Sequence, residues 1–404
     1  MEKPTIQTIL REHYPAYERS HSLQQSVRDA VHAMTCCRTA VLGGHKQVCP
    51  EGHYTHIWYN SCKHRACPQC AFLQTAHWLE MQKARLLDCD HYHAIFTIPH
   101  DLNDLWQLNV RVMANLLFQA VKAELTEMLA DPRYLGAVPG IIMALHTWGQ
   151  TLNLHPHIHC LVTGGGLHDG KWKAVNNGFL LPVVLLMQRF RARLLKALRN
   201  AVVKDRLVLP EGESPGSLEK RFAKLGTVKW NVRNQERYAH GQGVTHYLAR
   251  YLRGGPIGNS RLLPASDGSV SFKYYNNHDK DEAGRGKPDT MTLPADEFLR
   301  RLFLHVPPPR MVTVRSYGLY APAKSEMLDE CRALFGQAPA EKAAKPTWQE
   351  VTARCGDRHP ECCPVCGRRL VAGGLIEPQR GTVVRLPQHR SGAPPDRMPL
   401  REAA

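Results

Sequence analysis

Apolar positions along this chain follow two periods, and the switches between them mark its elements. Leu23, Val27, Ala30, Val31 and Met34 recur at helical spacing and predict an N-terminal helix. HAIFTIP predicts a strand ending at Pro99, and DLWQLNVRVMANLLFQAVKAELTEMLA predicts one long amphipathic helix. GIIMALHTW and HIHCLVTG read as two strands joined by a short loop around Thr151–Pro156. The helical period returns in VVLLMQRFRARLLKALRNAVV, a basic helix carrying Arg189, Arg191, Arg193 and Lys196, with Arg and Lys on one face. A solvated face is the default for such a stripe, and a groove for a nucleic-acid strand is the sharper reading. TVKWNVR predicts a strand, and VTHYLARYL a short helix stopped by Gly254, Gly255 and Pro256. SRLLPASDGSVSFKYY predicts a β-hairpin across Asp267-Gly268.

Where periodicity fails, composition takes over. GGHKQVCPEGHYTHIWYNSCKHRACPQC fills with Cys, His and Gly and predicts a small metal-organised module. GQAPAEKAAKPTW has the composition of a linker, and CGDRHPECCPVCG is a second cysteine cluster. The tail after about residue 372 is rich in Pro, Gly and Arg and predicts disorder. The boundaries that follow are a helical segment at 1–45, a zinc-binding module at 46–90 and a central domain at 91–258. A β-rich region at 259–325, a linker at 326–350, a second knuckle at 351–372 and the tail at 373–404 complete the chain.

Charge narrows the partner. Lys and Arg number 52 against 36 Asp and Glu, a net charge of +16, and a surplus of that size favours nucleic acid. The apolar stretches around GIIMAL and FLLPVVLLM are too short to span a bilayer, and MEKPTIQTILREHYP lacks a secretory apolar run. We therefore expect a cytoplasmic protein with no membrane partner and no small-molecule substrate. In a reducing compartment the 13 cysteines, clustered at 36–70 and 355–366, favour metal over disulfides.

Two constellations carry chemistry. On a strand, His157 and His159 project from one face and can reach one ion together. Neutral imidazole is a good ligand for transition metals, although a hydrogen-bonded pair within a sheet is the bland alternative. For a third ligand, His155 has the right period, but Pro156 makes the strand irregular there. Gln150, at the end of the preceding strand, would be folded back beside the pair, and its amide oxygen suits Mg or Mn. Tyr247 and Tyr251 stand four apart, one helical turn, within a stripe that by itself reads as core. The same helix offers Arg250 and Arg253 to a phosphate of bound DNA. A tyrosine oxygen can attack a phosphodiester and conserve its energy as phosphotyrosine.

Taken together, LHTWGQTLNLHPHIHCLVTGGGL, YLARYLRGGPI and NSCKHRACPQC resemble the HUH transposases of the insertion-sequence ninety-one family, in their two-tyrosine form. TMTLPADEFLRRLFLHVPPPRMVTVRSYGLYAP is similar to that family's C-terminal region, so the resemblance runs from about residue 20 to 325. It implies an α+β fold: a palm-like antiparallel sheet with flanking helices, the HUH endonuclease core, with the tyrosine helix beside it. A helical, zinc-ribbon-like N-terminal module and a small C-terminal β-rich region accompany the core. The resemblance also implies rolling-circle transposition in a bacterial cytoplasm, on DNA that is single-stranded at the element ends and target. By position, His157 and His159 would hold a Mg or Mn ion and Tyr247 and Tyr251 would be the nucleophiles. Related nucleases take a polar third ligand from upstream of the pair or from the tyrosine helix, which supports Gln150.

The N-terminal cluster resembles the family's zinc-binding domain. Cys67 and Cys70 form its firmest half, a CxxC knuckle suited to tetrahedral zinc. The other half reads Cys49-Pro-Glu-Gly-His53, with Cys62 and His64 competing for the same places. A second zinc would use Cys355, His359, Cys363 and Cys366, with Cys362 close by. Three rival functions share parts of this pattern: an HUH replication initiator or relaxase, a non-catalytic zinc-dependent DNA-binding regulator, and a metallohydrolase that activates water.

Overall fold

Two helices open the chain, α1 (Ile6–Ser20) and α2 (Gln25–Cys36), and the apolar stripe of Val27, Ala30, Val31 and Met34 lies in α2. α1 begins at Thr5, where Thr5 and Thr8 cap each other's backbone N–H in a capping box. β1 (Gly44–Val48) and β2 (Thr55–Tyr59) form a hairpin, and α3 (Pro68–Lys83) starts with Pro68 in its first turn. β3 (His91–Thr97) follows, then α4 (Asn103–Leu108) and α5 (Val110–Ala130). The one long helix expected here breaks at Asn109. Its amide donates to the Leu105 and Val208 carbonyls at 3.0 and 2.7 Å, which locks the break. The chain is a computed structural model that describes residues 3–178, 180–238, 255–282, 284–341, 344–355 and 359–379.

β4 (Val138–Trp148), β5 (Leu154–His168) and β6 (Lys171–Ala174) come next, followed by α6 (Val183–Val203), α7 (Pro215–Leu225) and β7 (Val232–Tyr238). The strand expected from TVKWNVR begins five residues later than its first residue, at Val232. From residue 255 onward come β8 (Leu262–Leu263), β9 (Ser269–Lys280), β10 (Gly286–Pro294) and α8 (Ala295–Phe303). β11 (Val314–Gly318), α9 (Ser325–Leu334), α10 (Trp348–Cys355) and β12 (Val371–Ile376) close the described chain. The architecture is mixed α+β, and every strand pairing among the described residues is antiparallel. No helix among the described residues is long and apolar enough to cross a membrane.

Six strands make the sheet that carries the site, in the order β11-β4-β5-β3-β7 with β6 added to β5. Alternation divides its faces. Phe96, Met143, Leu145, Ile158 and Val162 enter one core with Leu117 and Val121 of α5 and Phe190 and Leu194 of α6. Each such buried side chain contributes roughly 1.5–3 kcal/mol. The opposite face carries His93, His157 and His159, and further along it Ile142, Ala144 and Leu161 pack with Leu319, Tyr320 and Leu328. At the end of β11 the chain turns through Gly318 (φ 58°), where a Cβ would lie 1.8 Å from the Pro139 carbonyl oxygen.

Segments far apart in sequence share the remaining cores. Ile6, Leu10, Tyr17 and Met34 of the N-terminal helices pack with Phe272, Phe298 and Leu302 of the C-terminal β-rich region. The hairpin across Asp267-Gly268 forms with Gly268 at φ 75°, but the long partner of β9 is β10. β12 pairs with β1 to give a second sheet, β12-β1-β2. The segment read as a separate C-terminal knuckle is therefore sheeted onto the N-terminal module, and order persists past residue 372 through Ile376.

Candidate active site

The β4–β5 connection is Gly149–Asn153, closed by the Gly149 N–H donating to the Asn153 carbonyl at 3.1 Å. That loop length fixes the register: His146 faces His157 and Ala144 faces His159. On the other side β3 sets Thr97 opposite His157 and Ile95 opposite His159. His146, His157 and His159 consequently converge, with one ring nitrogen from each lying within 4.8 Å of the others.

Each of these rings is held from behind. His157 Nδ1 lies 2.6 Å from the His155 carbonyl oxygen, which can only accept, so Nδ1 carries the proton. Its Nε2 then presents a lone pair to the centre, 3.0 Å from His159 Nε2. That is the spacing of adjacent ligands around an octahedral ion with bonds of about 2.1 Å. His159 Nδ1 lies 2.9 Å from His93 Nε2, and the His146 ring stacks on Trp148 with centroids 4.7 Å apart. Ligating imidazoles are commonly oriented by such partners at their other nitrogen. Burial, reinforced by His146, pushes the His157 imidazole down to about 3. Burial and the neighbouring histidines hold His159 well below its ordinary value, and burial takes His93 to about 4. These imidazoles are neutral near pH 7, the form that binds metal.

Of the candidates for a third ligand, His146 is the one whose ring nitrogen lies near those of His157 and His159. Gln150 sits exposed in the connecting turn, where its carbonyl accepts from Arg261 Nη2 at 2.6 Å, and the register seats His146 across from the pair. His155 turns to His100, its Nδ1 lying 3.2 Å from His100 Nε2. His91, in the same strand as His93, belongs to a buried structural network with the Cys89 carbonyl and the Tyr320 hydroxyl. Tyr247, Tyr251, Arg250 and Arg253 lie outside the described residues. The described chain approaches that segment at Tyr238, whose ring is 6.4 Å from the His93 ring. It resumes at Gly255, which with Arg65, Trp78, His146 and Trp148 lines a cavity of about 480 Å³.

The basic face of α6 is largely engaged within the protein. Arg189 and Arg193 both pair with Glu124, which is only 2% exposed, and with Glu127. Arg191 donates to the Val228 carbonyl at 2.5 Å. These pairs hold Arg189 and Arg193 within the protein, which differs from the solvated face expected by default and does not favour a strand-binding groove.

The cysteines sort differently from their expected sets. Cys67 and Cys70 join Cys62 and Cys37, not Cys49 and His53. Cys37 and Cys70 sulfurs lie 3.3 Å apart and those of Cys62 and Cys70 3.5 Å, near the roughly 3.8 Å edge of a zinc–thiolate tetrahedron. The end of α2 supplies Cys37, the loop before α3 supplies Cys62, and the start of α3 supplies Cys67 and Cys70. Hydrogen bonds from the Cys37, Cys62 and Cys67 thiols hold the Cys70 thiol well below its ordinary value, towards the metal-binding thiolate. Four converging sulfurs fit zinc. Cys49 and His53 meet Cys363 and Cys366 instead. His64 and His359 stay within their own turns, their Nδ1 atoms accepting from the Ala66 and Glu361 N–H groups. Nothing is described of the Cys355 side chain.

The first cysteine set is braced against the histidine centre. Arg65, inside the Cys62–Cys67 loop, donates to the Met311 carbonyl and to Thr313 Oγ1. The Thr313 carbonyl in turn accepts from Leu145 N–H at 2.8 Å, next to His146.

Comparison with known proteins follows the same division. A family model described as "Putative transposase" matches residues 140–327, and one described as "Transposase zinc-binding domain" matches residues 9–98. The chain is 35% identical over 374 residues to the "Putative transposase y4qJ" of Sinorhizobium fredii, covering 90% of this chain and 93% of that protein. It is 28% identical over 359 residues to the "Transposase for insertion sequence element IS801" of Pseudomonas savastanoi pv. phaseolicola, covering 86% and 83%. No solved structure matches the chain. The first match contains His146, His157, His159 and the tyrosine segment; the second contains Cys37, Cys62, Cys67 and Cys70.

Proposed function

This chain belongs to the insertion-sequence transposases of the ninety-one family, and from that premise we propose that it moves DNA by rolling-circle transposition through phosphotyrosine intermediates. It carries the family's zinc-binding domain, and DNA is its partner. The observation that carries the finer reading is the convergence of His146, His157 and His159 on one sheet face. Both described ends of the segment holding Tyr247 and Tyr251 lie beside that face, at Tyr238 and Gly255. The antiparallel order β11-β4-β5-β3-β7, with the histidine pair on its central strand, supports a palm-like HUH core.

In this reading Tyr247 or Tyr251 attacks the scissile phosphorus of a single strand. The new O–P bond forms as the bond to the 3′ oxygen breaks. The phenol gives up its proton, the leaving oxygen gains one and departs as a free 3′-OH, and the 5′ phosphate stays on tyrosine. A target 3′-OH then reverses the step and frees the tyrosine. Two nucleophiles let the protein hold two DNA ends in succession. His146, His157 and His159 would hold a divalent ion, with His93 and the His155 carbonyl fixing their rings. Such an ion, when bound, stabilises charge developing on the phosphate and orients the leaving group. Three imidazoles favour Mn over Mg, which prefers oxygen ligands.

The test is to incubate the full chain with a labelled single strand from an element end, with Mn or with chelator. Mn-dependent nicking with a 5′ end retained on protein is expected. A strand left whole under every divalent metal would instead leave a zinc-dependent DNA-binding regulator.

A further inference from the structure

We infer that Cys49, His53, Cys363 and Cys366 form a second zinc site, which staples the C-terminal segment of the chain to its N-terminal module. The four ligand atoms lie within 4.8 Å of one another. Cys49 and Cys366 sulfurs are 3.6 Å apart, and Cys49 Sγ is 3.9 Å from His53 Nδ1, edge lengths close to those of a tetrahedral zinc set. Three thiols and an imidazole on one point are a metal's donor set rather than a disulfide's pair. The site uses 317 residues of sequence separation and extends beyond the 9–98 match to the zinc-binding domain.

Both halves are built as tight turns around the sulfurs. In Cys363-Pro-Val-Cys366-Gly367 the Val365 N–H points at Cys363 Sγ, 3.4 Å away, a donor that favours thiolate. Gly367 takes φ 71° and its N–H returns to the Cys363 carbonyl at 2.9 Å. In the other half Gly52 takes φ 75° and donates to the Cys49 carbonyl, also at 2.9 Å. Glu51, inside the Cys49–Gly52 turn, and Arg368, directly after Gly367, form an ion pair across the site.

The local core is too small to order this region alone. Its buried members are Cys49, Cys363 and Leu370, with Tyr54 packed against them. Val371 and Leu375 of β12 are 47% and 83% exposed. Fixing each residue's backbone costs conformational entropy, so a short segment with so little apolar burial needs a staple. Zinc across the two turns supplies it and holds β12 on β1.

Zinc content of the purified full chain by native mass spectrometry tests the site, with any ion at the histidine centre subtracted by a His146→Ala/His157→Ala control. Two zinc ions per chain are expected, and Cys363→Ser/Cys366→Ser should retain one. Cys49→Ser/His53→Ala should also retain one, and combining all four substitutions should still retain one, because both halves hold the same ion. Cys362→Ser should retain two. Two ions in Cys363→Ser/Cys366→Ser, or a wild-type chain with a single ion that this variant keeps, would overturn the inference. Thiol alkylation of the unaltered, zinc-loaded chain decides the matter if a variant fails to fold. Exposed Cys366 should then be protected while exposed Cys362 reacts, and equal rates would contradict the site.

Discussion

His146 on β4 is the cross-strand partner of His157 on β5, and a five-residue turn makes it so. Removing a metal ligand should therefore damage nicking more than removing an orienting partner. We expect His146→Ala to lower the Mn-dependent rate by more than the roughly 10–100-fold typical of losing an outer partner. His93→Ala should fall within that range, and Gln150→Ala should stay near wild type. Nicking rates with Mn titrations of each variant check this ordering; a severe Gln150→Ala defect beside a mild His146→Ala would reverse the assignment.

Acid should weaken the metal-free protein well before its carboxylates protonate. His91, His93 and His305 are each pushed to about 4, and His157 to about 3, chiefly by burial. Unfolded histidine titrates near 6.5, so below that pH the unfolded chain binds more protons and stability falls as pH falls. Each such group contributes up to about 1.4 kcal/mol per pH unit between 6.5 and its folded value. Glu297, held at about 2 by Arg300, loses its contribution only at lower pH. Urea midpoints of the chelated protein should drop from pH 7 to 5.5, and a flat profile would contradict the buried neutral histidines.

Glu124 owes its burial to two arginines. Arg189→Ala/Arg193→Ala would leave a carboxylate only 2% exposed without a countercharge, at a cost of about 3 kcal/mol. Glu124→Leu should cost less, because both guanidiniums can reach water. Urea denaturation of the two variants gives the order, and a larger loss in Glu124→Leu would refute it.

Legibility tracked sequence distance. α6 coincides with the predicted helix because its stripe of Leu186, Phe190, Leu194 and Leu198 is read locally, and the two strands around the histidine pair were equally plain. His157 and His159 stand out by alternation alone. His146 does not, because its place is set by strand register rather than by spacing. Cys37 joins Cys62 only because the end of α2 meets the loop before α3. The partners of Cys49 depend on β12 returning to β1 from the far end of the chain. α7 had a local signal, a Ser214 capping box followed by Pro215, that its charged sequence masked.

Covalent capture of DNA tests the central claim most directly. The full chain, Mn and an element-end strand should give a denaturant-stable adduct whose mass-spectrometric site is Tyr247 or Tyr251. Tyr247→Phe/Tyr251→Phe should form none. An adduct persisting in that variant, or nicking by the wild-type chain that yields only water-derived ends, would contradict the account.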